Sequence, residues 1–118
     1  MRNFRKYEVY QDAMNFVVEV YRITKKFPQE EKYGLTSQIR RATVSIPSNI
    51  AEGAGRESEK EFKRYIEISI GSSFEVETQL TIAYRLEYLE TSVFETGLKR
   101  LQTIQRQLTG LRNKLKEK

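Results

Sequence analysis

Residues 38–53 read Q-I-R-R-A-T-V-S-I-P-S-N-I-A-E-G, and how they are read decides the fold. Ile39, Ala42, Ile46 and Ile50 recur at intervals of three and four, which gathers them on one face of an α-helix. Leu35 extends the stripe backwards, so a helix is predicted from about Leu35 to Ala54. Pro47 falls inside it. A proline there removes a backbone hydrogen bond and costs about 3 kcal/mol, so the reading is one kinked helix whose bend must be fixed by neighbours. The alternative is two short helices broken at Ile46, because a residue preceding proline is steered away from the helical region.

Beside the apolar stripe runs a polar one. Arg41, Ser45, Asn49 and Glu52 are separated by four, four and three residues. At 1.5 Å rise per residue its charged ends lie roughly 16 Å apart, so each needs a partner from another element. In a hairpin turning near Gly55, Arg41 falls level with Gly71 to Glu75, and Glu52 level with Lys60 to Arg64. The expected pairs are Arg41 with Glu75, and Glu52 with Lys60 or Arg64, inside the bundle or between subunits. The competing reading is a solvated stripe of little energetic value.

Periodicity places three more helices. Helix 1 is expected from about Tyr7 to Lys26 with its seam at Tyr7, Tyr10, Met14, Val17, Tyr21 and Thr24, ended by Phe27-Pro28. Gln29 to Gly34 is a polar connector. Ser58-x-x-Glu61 has the capping-box spacing and starts helix 3, whose seam is Phe62, Ile66, Ser69, Ser73, Val76, Leu80 and Ala83. Ser92-x-x-Glu95 repeats that spacing before helix 4, where Phe94, Leu101, Leu108 and Leu115 form one heptad row and Ile104 and Leu111 the other. Gly97 and Gly110 lie inside helix 4 and call for either close helix approach or a frayed end. Gly71-Ser72-Ser73 in helix 3 marks a close crossing, within the chain or between subunits. The sum is an all-α, antiparallel up-down-up-down four-helix bundle, one domain over residues 1–118.

Composition narrows the chemistry. The 118 residues contain no Cys and no His, which removes disulfides, thiolate chemistry, the commonest metal ligand and the usual general base. Neither a Walker loop nor an H-E-x-x-H pair occurs, and Gly53-x-Gly55 follows a helix rather than a strand. Glu75 and Glu77 point about 200° apart on a helix, so they form no acid/base dyad. No enzyme activity, catalytic residue, metal or cofactor is expected. The basic N-terminus is not followed by an unbroken apolar run, and no stretch of about 18 apolar residues occurs, so the expected location is the cytoplasm without membrane contact.

Charge is uneven. Residues 1–56 sum to +4, residues 57–95 to −5 and residues 96–118 to +6. Lys99, Arg100, Arg106, Arg112, Lys114, Lys116 and Lys118 face only Glu117 in that last stretch. They are either solvated helix faces or a sequence-tolerant, salt-sensitive contact to the phosphate backbone of RNA or DNA. They do not share a single stripe.

Taken together, the 38–53 segment, F-P-Q-E-E-K-Y-G-L-T-S at 27–37 and F-E-V-E-T-Q-L at 74–80 resemble the bacterial four-helix-bundle proteins encoded in intervening sequences of 23S ribosomal RNA genes. The resemblance covers nearly the whole chain. It implies a ring-like homopentamer without defined enzymatic activity, similar to the accessory variability proteins of diversity-generating retroelements, which bind nucleic acid and a reverse transcriptase. A protein partner such as a polymerase or ribosome-associated factor is the alternative it leaves. Arg40, Arg41, Ser45, Pro47, Asn49, Glu52, Glu75 and Gln79 match the motif positions and are implied to shape the subunit or its contacts. Two positions depart from the pattern: Tyr10 stands where Trp is frequent, and Glu87 where Gly is frequent near the end of helix 3. The second departure removes an expected helix stop.

Overall fold

Isoleucines spaced three and four apart build a helix only if something covers them, and here three other helices do. The computed structural model describes residues 2–115. Its helices are α1 (Glu8–Thr24), α2 (Leu35–Ala54), α3 (Glu59–Arg85) and α4 (Thr91–Lys114), with single 3-10 turns at Phe4–Lys6 and Gln29–Glu31. No strand occurs among the described residues. Each helix packs on the next in sequence, and α4 returns to α1. The fully buried centre combines Phe16 and Val20 of α1, Ile39, Ile46 and Ile50 of α2, Phe62, Ile66, Val76 and Leu80 of α3, and Leu101, Ile104 and Leu108 of α4.

The α2 helix runs unbroken through Pro47. Two short helices are therefore excluded. Pro47 cannot donate to the Thr43 carbonyl, and the carbonyl just before the proline receives a bond from another helix, the Ser69 hydroxyl donating to Ile46 O at 2.9 Å. The seams expected for α3 and α4 are those the structure buries or packs against the core, and so is that of α2 from Ile39 to Ile50, while Leu35 at its start is only half-buried.

Helix α1 differs. Its buried stripe is Val9, Ala13, Phe16, Val20 and Thr24. Of the six residues expected there, Thr24 alone is buried, while Met14 and Tyr21 are exposed and Tyr7 and Tyr10 are half-buried at the rim. Two apolar stripes compete on this helix. The one without phenolic hydroxyls won, because a buried Tyr needs a hydrogen-bond partner that this core does not offer.

The helix starts and stops correct two further expectations. Ser58 caps α3 as anticipated, its Oγ accepting from the Glu61 amide at 3.1 Å. Ser92 does not cap α4, which begins at Thr91 behind Glu90 with no side-chain cap bond. The α3 helix stops without a glycine. Glu87 takes a positive φ of 64°, its N–H donates to Tyr84 O and the N–H of Tyr88 donates to Ala83 O, both at 2.9 Å. That is the Schellman arrangement, which does not require glycine but strains any other residue. Tyr88 then packs on Phe27, ring centroids 5.5 Å apart, and its hydroxyl donates to Glu31 Oε2 at 2.9 Å. Glu31 Oε1 accepts from the Leu35 amide at 3.1 Å, so one carboxylate caps α2 and ties the α1–α2 connector to the α3–α4 turn.

Candidate functional site

The polar stripe of α2 faces α3, and small residues on both helices let the backbones approach. A Cβ on Gly53 would lie 2.6 Å from Tyr65 Cβ and 3.0 Å from Phe62 Cδ1, so no side chain fits there. Further along, Ser45 Oγ and Ser72 Oγ lie 2.9 Å apart. Asn49 Nδ2 donates to Ser45 O at 2.8 Å and to Ser45 Oγ at 2.9 Å. Ser69 braces Ile46 between these levels. As the partners climb α2 from Ser45 to Gly53 they descend α3 from Ser72 to Phe62, so the two helices run in opposite directions.

The charged ends behave differently from expectation. Glu52 pairs with neither Lys60 nor Arg64. It bonds Arg56 one turn along its own helix end, at 3.2 Å, and Arg56 also donates to Tyr65 Oη at 2.7 Å while stacking on that ring. A partner four residues along the chain, just past the helix end, is simply nearer than one across the turn. Arg41 and Glu75 do reach one place: with Gln38, Ala42, Ser45 and Ser72 they line a cleft of about 470 Å³. They form no ion pair with each other among the described residues, which corrects the expected bridge. Both side chains are exposed, and a solvated pair gains too little to hold two flexible groups together. Glu75 instead accepts from Gln79 Nε2 at 3.4 Å. Gln79 is 6 % exposed, and its Oε1 has no partner.

Arg40 faces the other way. Its Nε donates to Thr24 Oγ1 at 2.8 Å and its guanidinium stacks on Tyr21, 4.5 Å from the ring centroid. It fastens α1 to α2 rather than joining the stripe. Sequence reasoning missed Ser72 as the partner of Ser45 and Gly53 as the point of closest approach. The smallness of both residues was the only available signal.

The basic residues of α4 disperse. Lys99 and Arg106, seven residues apart, are both exposed. Arg100 turns toward α1, 3.9 Å from Glu19 Oε2. Arg112 is half-buried and bonds Asn113 at 3.3 Å. Lys114 ends the helix, and Lys116 and Lys118 lie outside the described residues. Glu95 is the one acidic residue between Thr91 and Lys114. Among the described residues, no group of three or more acidic side chains is placed to hold a metal ion, and no helix is long and apolar enough to cross a membrane.

No curated protein matches the chain. A solved structure from Bacteroides thetaiotaomicron VPI-5482, described as a protein with unknown function from the S23 ribosomal protein family, superposes with a TM-score of 0.82 at 22 % identity, covering 89 % of this chain and 95 % of that one. That likeness shows the fold. The pattern of the 23S rRNA-intervening sequence proteins matches residues 5–110, spanning both α2 with its interior proline and the Glu75–Gln79 pair. This chain belongs to the 23S rRNA-intervening sequence protein family.

Proposed function

We propose that the protein is a non-enzymatic scaffold that works as a homo-oligomer and binds the phosphate backbone of RNA or DNA through the dispersed basic residues of α4. The observation that carries the reading is apolar surface on two separate faces. Met14 is 43 %, Val18 49 % and Tyr21 41 % exposed on α1, and Phe74 54 % and Ile82 44 % on α3. Exposed apolar side chains scattered singly mean little, but Met14, Val18 and Tyr21 are spaced four and three apart and form a stripe. A ring whose joints are head to tail needs two different surfaces on each subunit, and these two strips supply them. Five subunits is the number the resemblance to accessory variability proteins implies. The non-enzymatic part rests on a sequence without His or Cys.

The nucleic-acid part rests on α4, where five basic residues stand against one Glu between Thr91 and Lys114. Sedimentation of the purified protein tests the assembly, with a mass near five times 13.9 kDa or a multiple of it expected. A monomer at every concentration defeats the proposal. Binding to mixed-sequence RNA should weaken steeply between low and moderate salt and fall further in a Lys99→Glu, Arg106→Glu variant. Affinity indifferent to salt would instead favour a protein-interaction adaptor, in which α4 meets a polymerase or ribosome-associated factor.

A further inference from the structure

Two helices bring basic side chains to one point at the seam between α1 and α4. Arg22 Nη1 of α1 and Arg100 Nη1 of α4 both lie 3.9 Å from the same atom, Glu19 Oε2. At that distance each contact is an ion pair without a hydrogen bond, so the donors of both guanidiniums stay available. Arg106 leans to the same place, its Nη2 donating to Thr103 Oγ1 at 3.3 Å, and Thr103 lines the α1–α4 cleft together with Arg22, Arg100 and Glu19. Three guanidiniums from two helices therefore border one opening that holds one carboxylate between them. The cleft's other carboxylate, Asp12, stands two turns away along α1, about 10 Å by helical rise, and accepts from Gln107 Nε2 at 3.0 Å.

We infer that the mouth of this cleft is a phosphate site for a nucleic-acid backbone, and that Glu19 is its resident competitor, holding the two arginines until a phosphate displaces it. The inference rests on the nucleic-acid reading of α4 and deepens it, adding Arg22 from α1 and a carboxylate that tunes the affinity. Two guanidiniums turned on a single oxygen mark a position where an anion is favoured. A phosphodiester carries two free oxygens there, one for each guanidinium fork, and so closes the hydrogen bonds that the shared Glu19 oxygen leaves open. Access favours the exchange: the side chains of Arg22 and Arg100 are 72 % and 54 % exposed, and that of Glu19 only 33 %. The cleft encloses about 560 Å³ over Phe16 and Ile104, both fully buried, and such an apolar floor focuses the field of the charges at the rim.

Filter binding to a mixed-sequence RNA across a salt series tests the site. Arg22→Ala should weaken binding about five-fold and lower the slope of log affinity on log salt by about one phosphate contact. Glu19→Gln keeps the shape and removes the competing charge, so it should tighten binding about three-fold. Arg64→Ala and Glu67→Gln make the same two charge changes at exposed sites of α3, a helix that does not contact α1, and should leave affinity within about 1.5-fold. Thermal melts check that each variant folds. A wild type that binds no RNA at low salt defeats the nucleic-acid reading itself. If wild-type binding falls in the Lys99→Glu, Arg106→Glu variant, yet the Arg22 or the Glu19 variant shifts affinity no more than its α3 control, the cleft site alone is overturned.

Discussion

The α2–α3 seam and the α1–α4 seam lie on opposite sides of one core and are built on contrasting plans. Between α2 and α3 the facing positions are Gly53, Ser45, Ser69 and Ser72, so the backbones close until hydroxyls reach carbonyls and each other. Between α1 and α4 they are Asp12, Asn15, Glu19, Arg100, Thr103 and Gln107. The helices there are bridged by Gln107 Nε2 to Asp12 Oδ2 at 3.0 Å and by Arg100 to Glu19 at 3.9 Å, and a cleft of about 560 Å³ opens above Phe16 and Ile104. Small side chains convert a helix contact into a backbone contact. Long polar ones hold the helices off and leave them joined at the rim.

The sharpest way to break this contrast is Gly53→Ala. The new Cβ meets Tyr65 Cβ, an atom that cannot swing away, so α2 and α3 must separate at a cost of about 1–3 kcal/mol, read by chemical denaturation. An unchanged midpoint would mean the seam is looser than drawn. Ser69→Ala removes the brace on the carbonyl before Pro47 and should cost about 1 kcal/mol by the same measurement. Glu87→Gly acts in the opposite sense at the end of α3, relieving a side chain held at φ 64° and raising stability by roughly 0.5–1 kcal/mol. Failure to stabilise would show that the Glu87 side chain contributes more than its strain removes. In the open seam, Thr103→Leu should move stability by no more than about 0.5 kcal/mol, since the exposed side chain borders a cleft and its hydroxyl donates only along its own helix, to Lys99 O at 3.2 Å.

The least of these effects is a pH dependence at Tyr88. Its hydrogen bond to the Glu31 carboxylate, then burial, then the charges of Glu31 and Glu30, raise its ionisation above the ordinary value of 10.0. The bond is made by the neutral phenol, so its contribution is complete below pH 10 and is lost as the pH rises through the higher folded value. The stability difference between wild type and Tyr88→Phe should therefore shrink with rising pH above that point. A difference constant to high pH would place the hydroxyl elsewhere.

Much of this architecture is legible in the chain. The bounds of α2, the seam of α3, the heptad rows of α4 and the Ser58 cap follow from spacing, because burial selects one helical face and a cap needs one oxygen at one offset. The α1 seam does not follow, since Tyr7, Tyr10, Met14, Val17 and Tyr21 repeat as regularly as Val9, Ala13, Phe16 and Val20, and only the surrounding helices decide which set they cover. The start of α4 and the stop of α3 also escape, because Ser92 has a capping sequence without a capping position and Glu87 adopts a conformation its identity disfavours.

The candidate site divides in the same way. Its residues were nameable from a polar stripe beside an apolar one, but their partners were not. Register along a hairpin brought Arg41 and Glu75 to one cleft, while side-chain reach gave Glu52 to Arg56, Arg40 to Thr24 and Ser45 to Ser72. The sequence by itself determined four amphipathic helices and the face that α2, α3 and α4 would bury, because periodicity is a local property of the chain. Tertiary structure decided which polar groups meet, because hydrogen bonds depend on distances of a few tenths of an ångström between elements that no local pattern specifies.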